Sequence, residues 1–261
     1  MLWIPIKLFI ETVYRRVIPL YSFDQRGRPF LASSAVPFQD NGFFFLITAT
    51  HCCFQNGKPL PLFVYGENKP HALTECRIAW EYSPGKSPDL DIAVIALDEN
   101  CAEDLQKRHL FCSPEDVRTT MPRTPGIHYL IAGYPASRNR RRPPALGLPS
   151  RATALITGEI GIVDSVNGVD KTPNHHFSIE FPYEKVPAPG GGDFYVPPPY
   201  GMSGGGVWRV EIDMRERLVG RPYLVGIGIE YHKKDKTFVA TKVQAAAPLA
   251  QDLRSFSKRK E

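Results

Sequence analysis

F-F-F-L-I-T-A-T-H-C-C (residues 43–53) is an apolar run that closes on Thr-Ala-Thr and then a histidine. Its aromatic and β-branched residues suit a pleated, half-buried strand, so residues 42–48 read as a strand with His51 just past its end. Outward from it, further β-rich runs cover 61–65, 73–82 and 92–97, with turn-forming stretches at 39–41 and 83–87. A second set follows at 127–132, 152–156, 177–181, 206–211, 223–230 and 237–243. Between the sets, S-P-E-D-V-R-T-T-M-P-R-T-P-G (113–126) reads as a linker. Ile6, Ile10, Val13, Tyr14 and Val17 fall at helical spacing, which predicts an amphipathic helix from Pro5 to about Val17, bounded by Pro19. The tail, 245–260, has helix-forming composition despite Pro248. No internal repeat is present. The expected organisation is a helical extension (1–20), a first β-rich half (21–112), the linker (113–126), a second half (127–244) and a C-terminal helix with a basic tail (245–261). Periodicity alone does not choose between barrels and sandwiches.

Composition narrows the function classes. The 261 residues include 25 prolines, about twice the usual share. Proline removes a backbone donor and interrupts helices, which argues against a helical bundle or a regular βαβ array. The net charge of +5 comes from mixed signs along the chain, not from the basic stripe of a nucleic-acid binder. No apolar stretch approaches the roughly 20 residues of a membrane-spanning helix. The start, M-L-W-I-P-I-K-L-F-I, is broken by Pro5 and Lys7 and lacks a small-residue cleavage site, so it reads as mature protein. Five cysteines, Cys52, Cys53, Cys76, Cys101 and Cys112, are an odd number. With no export signal, reduced thiols in a cytoplasm are expected.

Three stretches carry chemistry. A serine hydroxyl needs a base beside it and the base needs an orienting group. The oxyanion formed on attack needs donors, most simply backbone N–H groups. G-M-S-G-G-G-V-W (201–208) sets Ser203 among glycines that permit a tight turn. His51 offers the base. P-D-L-D-I-A-V-I-A-L-D (88–98) offers two carboxylates: Asp91, opening an apolar strand, and Asp89, two residues earlier and facing the same side.

Together these motifs resemble the chymotrypsin/trypsin family. T-A-T-H-C (48–52) is similar to that family's T-A-A-H-C, D-I-A-V-I (91–95) to its D-I-A-(L/V)-(L/V), and G-M-S-G-G (201–205) to its G-D-S-G-G. The order His, Asp, Ser is the family's. L-V-G-I-G-I-E-Y (224–231) and I-A-G-Y-P (131–135) extend the likeness over about residues 28–245. The resemblance implies an all-β fold of two packed six-stranded antiparallel β-barrels, with the short terminal helices outside them. It implies a serine endopeptidase that works through an acyl-enzyme, with His51 as base, Asp91 as its orienting partner and Ser203 as nucleophile. The matching oxyanion donors are the N–H groups of Gly201 and Ser203. The matching substrate-binding residues are Ile229, Glu230 and Tyr231, with Pro197 at the base of the primary pocket. The absence of an acid at Pro197 leaves a neutral P1 residue as the expectation, unless Asp193 or Glu230 projects into the pocket.

The chain also departs from that pattern. No cysteine precedes Cys52, so the disulfide the family often makes there has no partner. Met202 stands where the secreted members carry Asp, and no I-V-G-G-like activation sequence occurs near the start. The chain is therefore more similar to intracellular prokaryotic trypsin-like peptidases, active without N-terminal cleavage, with control expected from a regulatory protein partner in trans. Protein or peptide substrates are expected, with no nucleic acid, membrane, cofactor or metal. His175-His176 and His51-Cys52-Cys53 lack the paired spacing of a zinc site. Arg138, Arg140, Arg141 and Arg142 form a basic loop, and S-K-R-K-E ends the chain. Two other readings compete with this one. G-x-S-x-G is also the α/β-hydrolase elbow, but only Asp213 and His232 follow Ser203, without strand–helix alternation. A non-catalytic binding module on the same fold is the other alternative.

Overall fold

The computed structural model describes residues 3–4, 6–55, 57–80, 90–120, 126–139, 152–157, 160–161, 165–166, 169–170, 174–181, 185–187, 193–213 and 218–257. It is mostly β, built as two successive antiparallel sheets. The first comprises β1 (Ile18–Phe23), β2 (Pro29–Asp40), β3 (Phe43–Thr48), β4 (Phe63–Tyr65), β5 (Pro70–Ala72), β6 (Ile78–Trp80) and β7 (Ala93–Ala96), in the order β5-β4-β1-β2-β3-β7-β6. The twelve-residue β2 joins its two sides: Pro29 to Ala35 pair with β1, and Val36 to Asp40 with β3. Asn41 and Gly42, both at positive φ (51° and 80°), make the two-residue hairpin turn between β2 and β3, a position that Asn-Gly favours.

The second sheet comprises β8 (Ile127–Gly133), β9 (Thr153–Thr157), β10 (Ile160–Gly161), β11 (His176–Glu180), β12 (Gly206–Ile212), β13 (Leu218–His232) and β14 (Thr237–Lys242), in the order β9-β8-β12-β13-β14-β11-β10. The strand Trp3–Ile4 adds to the start of β13, giving eight strands here against seven in the first sheet, where six and six were expected. Several surplus strands are only two or three residues long, pairings that a run-by-run reading of apolar segments does not count. All the ladders among the described residues are antiparallel, against the parallel sheet that the α/β-hydrolase rival requires.

β13 bulges at Ile229. Gly228 faces Ala240 and Glu230 faces Val239, so Ile229 has no partner in the β14 ladder. A bulge of this kind re-aims the backbone at a site.

Among the described residues, three helices of more than one turn accompany the sheets: α1 (Ile6–Tyr14), α2 (Glu99–Gln106) and α3 (Ala246–Ser257). The predicted first helix stops at Tyr14, and Pro19 lies in β1, opposite Ser34. Pro248 is the third residue of α3, inside the first turn, where no intrahelical N–H is needed. α1 packs on the second half, through Val13 against a core containing Leu130, Tyr134 and Trp208. α3 packs on β3, β6 and β7 of the first. That core also takes in Val36, Phe45 and Val94, and so spans both halves. The linker is held as well: Arg118 N–H donates to Leu224 O at 3.0 Å, and Asp116 pairs with Arg16 at 3.2 Å.

Candidate active site

β3 ends in the buried Thr48 and Ala49, and one 3-10 turn, Thr50–Cys52, presents His51 with its side chain half exposed. β7 begins just after Asp91, whose backbone is left-handed (φ 46°). That conformation costs about 1–2 kcal/mol, and aspartate tolerates it better than most residues. Three hydrogen bonds offset it. Asp91 Oδ1 accepts His51 N–H at 3.0 Å, Oδ2 meets His51 Nδ1 at 2.7 Å, and Asp91 O accepts Thr50 N–H at 3.2 Å. Asp91 is buried, so its charge has little water to screen it, and the imidazole is its partner. Thr241 of β14 donates its hydroxyl to Leu90 O, so the second half fastens the loop that carries Asp91. Asp89 lies outside the described residues.

The Ser203 loop is docked on β2. Ser34 N–H donates to Ser203 O at 2.9 Å, and Thr48 Oγ1–H donates to Ser34 O at 2.8 Å. Gly204, at φ 81°, has no room for a Cβ, which would collide with Ser34 O and Thr48 Oγ1. Ser34 Oγ–H donates to Gly201 O at 2.8 Å while accepting Tyr134 N–H at 2.9 Å. Ser34 is thus the hub of the loop. Sequence reasoning missed it, although two adjacent serines inside an otherwise apolar strand were the available signal.

Within the loop, donors alternate. Met202 N–H goes to Pro199 O at 2.8 Å and Gly204 N–H to Gly228 O at 2.7 Å. Among the described residues, the N–H groups of Gly201 and Ser203 donate to nothing. Tyr200 O is pinned by Ala136 N–H at 2.6 Å. In a trans peptide the N–H points opposite the carbonyl, so this bond turns Gly201 N–H away from Ala136. Met202 itself is fully buried in the second core.

The structure does not bring every expected pair together. Ser203 Oγ donates to Ile229 O, the bulge carbonyl, at 3.3 Å. His51 Nε2 meets Cys52 Sγ at 3.5 Å. No hydrogen bond joins Ser203 to His51 among the described residues. Both sides of the site reach Ile229: Ser203 Oγ donates to its carbonyl, and Cys52, the residue after His51, packs with Ala49, Ile229 and Val239 in one small cluster. Partial burial lowers the His51 pKa. The hydrogen-bonded Asp91 carboxylate and the Cys52 sulfur outweigh it and raise the imidazole above its usual value.

Beside Ser203 lies a cleft of about 170 Å³, walled by Pro199, Tyr200, the stretch Ile229 to His232, and Phe238. Ile229, Glu230 and Tyr231 therefore line it. Pro197 is buried and does not line the cleft; the Met202–Pro199 turn puts Pro199 there instead. Glu230 is paired with His232 at 3.1 Å. The side chain of Asp193 lies outside the described residues, as do Arg140 to Arg142. Arg138 reaches Thr153 Oγ1 at 3.3 Å and Tyr195 O at 3.2 Å. His176 is buried in β11 and His175 is exposed; no three metal-ligating side chains gather among the described residues. All five cysteines are unpaired, and no described helix is long and apolar enough to cross a membrane.

Solved structures share this architecture. A thermostable serine protease, AL20, from an extremophilic microorganism aligns over 95% of this chain and 99% of its own, at 14% identity and TM-score 0.52. A Glu endopeptidase solved in complex with MPD aligns over 94% and 91%, at 15% and 0.50. The fold is chymotrypsin-like. GrC matches over 94% and 96%, at 13% and 0.55. At such identities the likeness concerns the fold alone. No family model matches the chain, and no curated protein matches its sequence.

Proposed function

We propose that the chain is a serine endopeptidase in which Ser203 attacks a peptide carbonyl, His51 takes the hydroxyl proton and Asp91 orients the base. The observation that carries this reading is the 2.7 Å contact between His51 Nδ1 and the buried Asp91 carboxylate. That contact fixes the ring with its proton on Nδ1 and its lone pair on Nε2. Binding of substrate requires Ser203 Oγ to leave Ile229 O and turn to Nε2. Its proton then passes to Nε2, Oγ bonds to the carbonyl carbon, and the oxyanion takes the unspent N–H groups of Gly201 and Ser203. His51 returns the proton to the departing amine, leaving an acyl-Ser203 ester that water hydrolyses. The shallow cleft with Pro199, Ile229 and Phe238 in its walls favours a neutral P1 side chain.

The buried Met202 and the Ser34 hydroxyl hold the oxyanion loop without a charged new N-terminus, so the chain needs no N-terminal cleavage. It fits the intracellular, prokaryotic kind of trypsin-like peptidase, working with its thiols reduced in a cytoplasm. Its control comes from a protein partner in trans.

The test is labelling of the intact chain, its mass verified, by a fluorophosphonate. Labelling is expected on Ser203 and is expected to vanish in Ser203→Ala. Labelling that appears only after trimming ahead of β1 would refute the activation statement. One observation favours a second reading, a non-catalytic binding module: Ser203 donates to Ile229 O and not to His51. A folded chain that never labels, even with candidate partners added, supports that module.

A further inference from the structure

We propose that His51 Nε2 and Cys52 Sγ form a two-donor site for a soft divalent cation, Zn²⁺ above all, and that its occupancy withdraws the base from catalysis. The binding statement stands on geometry alone; the inhibitory statement rests on the peptidase reading above. The two atoms lie 3.5 Å apart. Zinc binds imidazole nitrogen at roughly 2.0–2.1 Å and thiolate at roughly 2.3 Å. At a tetrahedral angle those bonds set the two donors about 3.5 Å from each other. The pair is therefore already spaced as one edge of a zinc tetrahedron.

A second observation points the same way. Asp91 Oδ2 meets Nδ1 at 2.7 Å, so the neutral ring, once any proton on Nε2 has been released to solvent, carries its lone pair on Nε2. A carboxylate behind a ligating histidine is the usual outer support of zinc–imidazole bonds, fixing the tautomer and raising the basicity of the ligand. The imidazole is half exposed, so the cation has a path from solvent. Cys52 has no disulfide partner. On binding, the Cys52 thiol gives its proton to solvent, the thiolate and Nε2 each donate a pair to the metal, and water fills the remaining positions. The lone pair that would accept the Ser203 proton is then committed to the metal.

The experiment uses the full chain carrying Ser203→Ala, which keeps both donors and removes the nucleophile. Co²⁺ titration is expected to raise a near-ultraviolet thiolate-to-cobalt band that Zn²⁺ bleaches. Cys52→Ala should abolish the band, and Asp91→Asn should weaken affinity about 10–100-fold. No band in the parent, or an undiminished band in folded Cys52→Ala, would overturn the site. Should Cys52→Ala fail to fold, Zn²⁺ protection of Cys52 from iodoacetamide, mapped by peptide mass, decides the matter without that variant. In the unmutated chain, Zn²⁺ should slow fluorophosphonate labelling about tenfold or more, and a chelator should restore it. Binding with unchanged labelling overturns the inhibitory statement. Binding in a chain that never labels, with or without metal, leaves the site standing and removes the peptidase reading.

Discussion

Asp91 occupies a left-handed backbone position that asparagine accepts as readily. Asp91→Asn therefore preserves the loop and the contact with His51 while removing the charge and reversing the preferred tautomer. Turnover is expected to fall on the order of 10⁴-fold, with a melting temperature close to that of the parent; steady-state kinetics beside a thermal melt checks both. Near-parental turnover would mean that Asp91 does not orient the base. The raised pKa of His51 has its own consequence. Catalysis needs the neutral ring, and a raised pKa keeps the ring protonated to higher pH. The acid limb of kcat/KM should therefore have its midpoint above about 6.5, the ordinary histidine value. Cys52 contributes to the rise, so Cys52→Ala should move that midpoint downward. A midpoint at or below the ordinary value in the parent, or no downward move in the variant, contradicts this account.

Among the elements, β2 does the most to hold the site and was the least visible in the sequence. The runs at 43–48 and 92–97 are legible because their apolar residues are nearly unbroken. The stretch 29–40 contains Ser33, Ser34 and Pro37, which break both alternation and apolar continuity. Its middle, Ser33 to Pro37, is buried without alternation, and the Ser203 loop docks on it. Ser34 is there because the loop needs a donor and an acceptor in the interior, a requirement that appears only once distant segments meet. The bulge at Ile229 was hidden for a similar reason: it depends on register between β13 and β14, while 224–231 reads as an ordinary run. Helix α2 was missed because E-N-C-A-E-D-L-Q has little apolar character, although Asp98 caps it by accepting Cys101 N–H at 2.8 Å. Of the motif residues, His51 and Asp91 meet, the N–H groups of Gly201 and Ser203 donate to nothing among the described residues, and Ser203 Oγ donates to Ile229 O and not to His51. Ser34→Ala tests β2 directly. It strips Gly201 O and Tyr134 N–H of a buried partner, which should cost about 1–3 kcal/mol of stability. The oxyanion loop should loosen as well, lowering kcat more than it raises KM. An intact melting temperature together with unchanged kcat would remove Ser34 from its place as hub.

At the scale of the molecule, the two halves are not independent. α1 lies on the second half and α3 on the first, one core runs between them, and Arg254 of α3 pairs with Asp40 at the β2–β3 turn. Calorimetry is therefore expected to show one unfolding transition with equal calorimetric and van't Hoff enthalpies. Two resolved transitions would mean that the shared core does not couple the halves. The crossed helices also constrain birth of the protein on the ribosome. Chains grow from the N-terminus, and domains usually fold in that order as they emerge. Here the first half stays uncovered along β3, β6 and β7 until α3 has cleared the exit tunnel. Nascent chains stalled before residue 246 should consequently resist fluorophosphonate, and released chains should label. On the peptidase reading, the order of synthesis would thus keep Ser203 silent until α3 has emerged and docked.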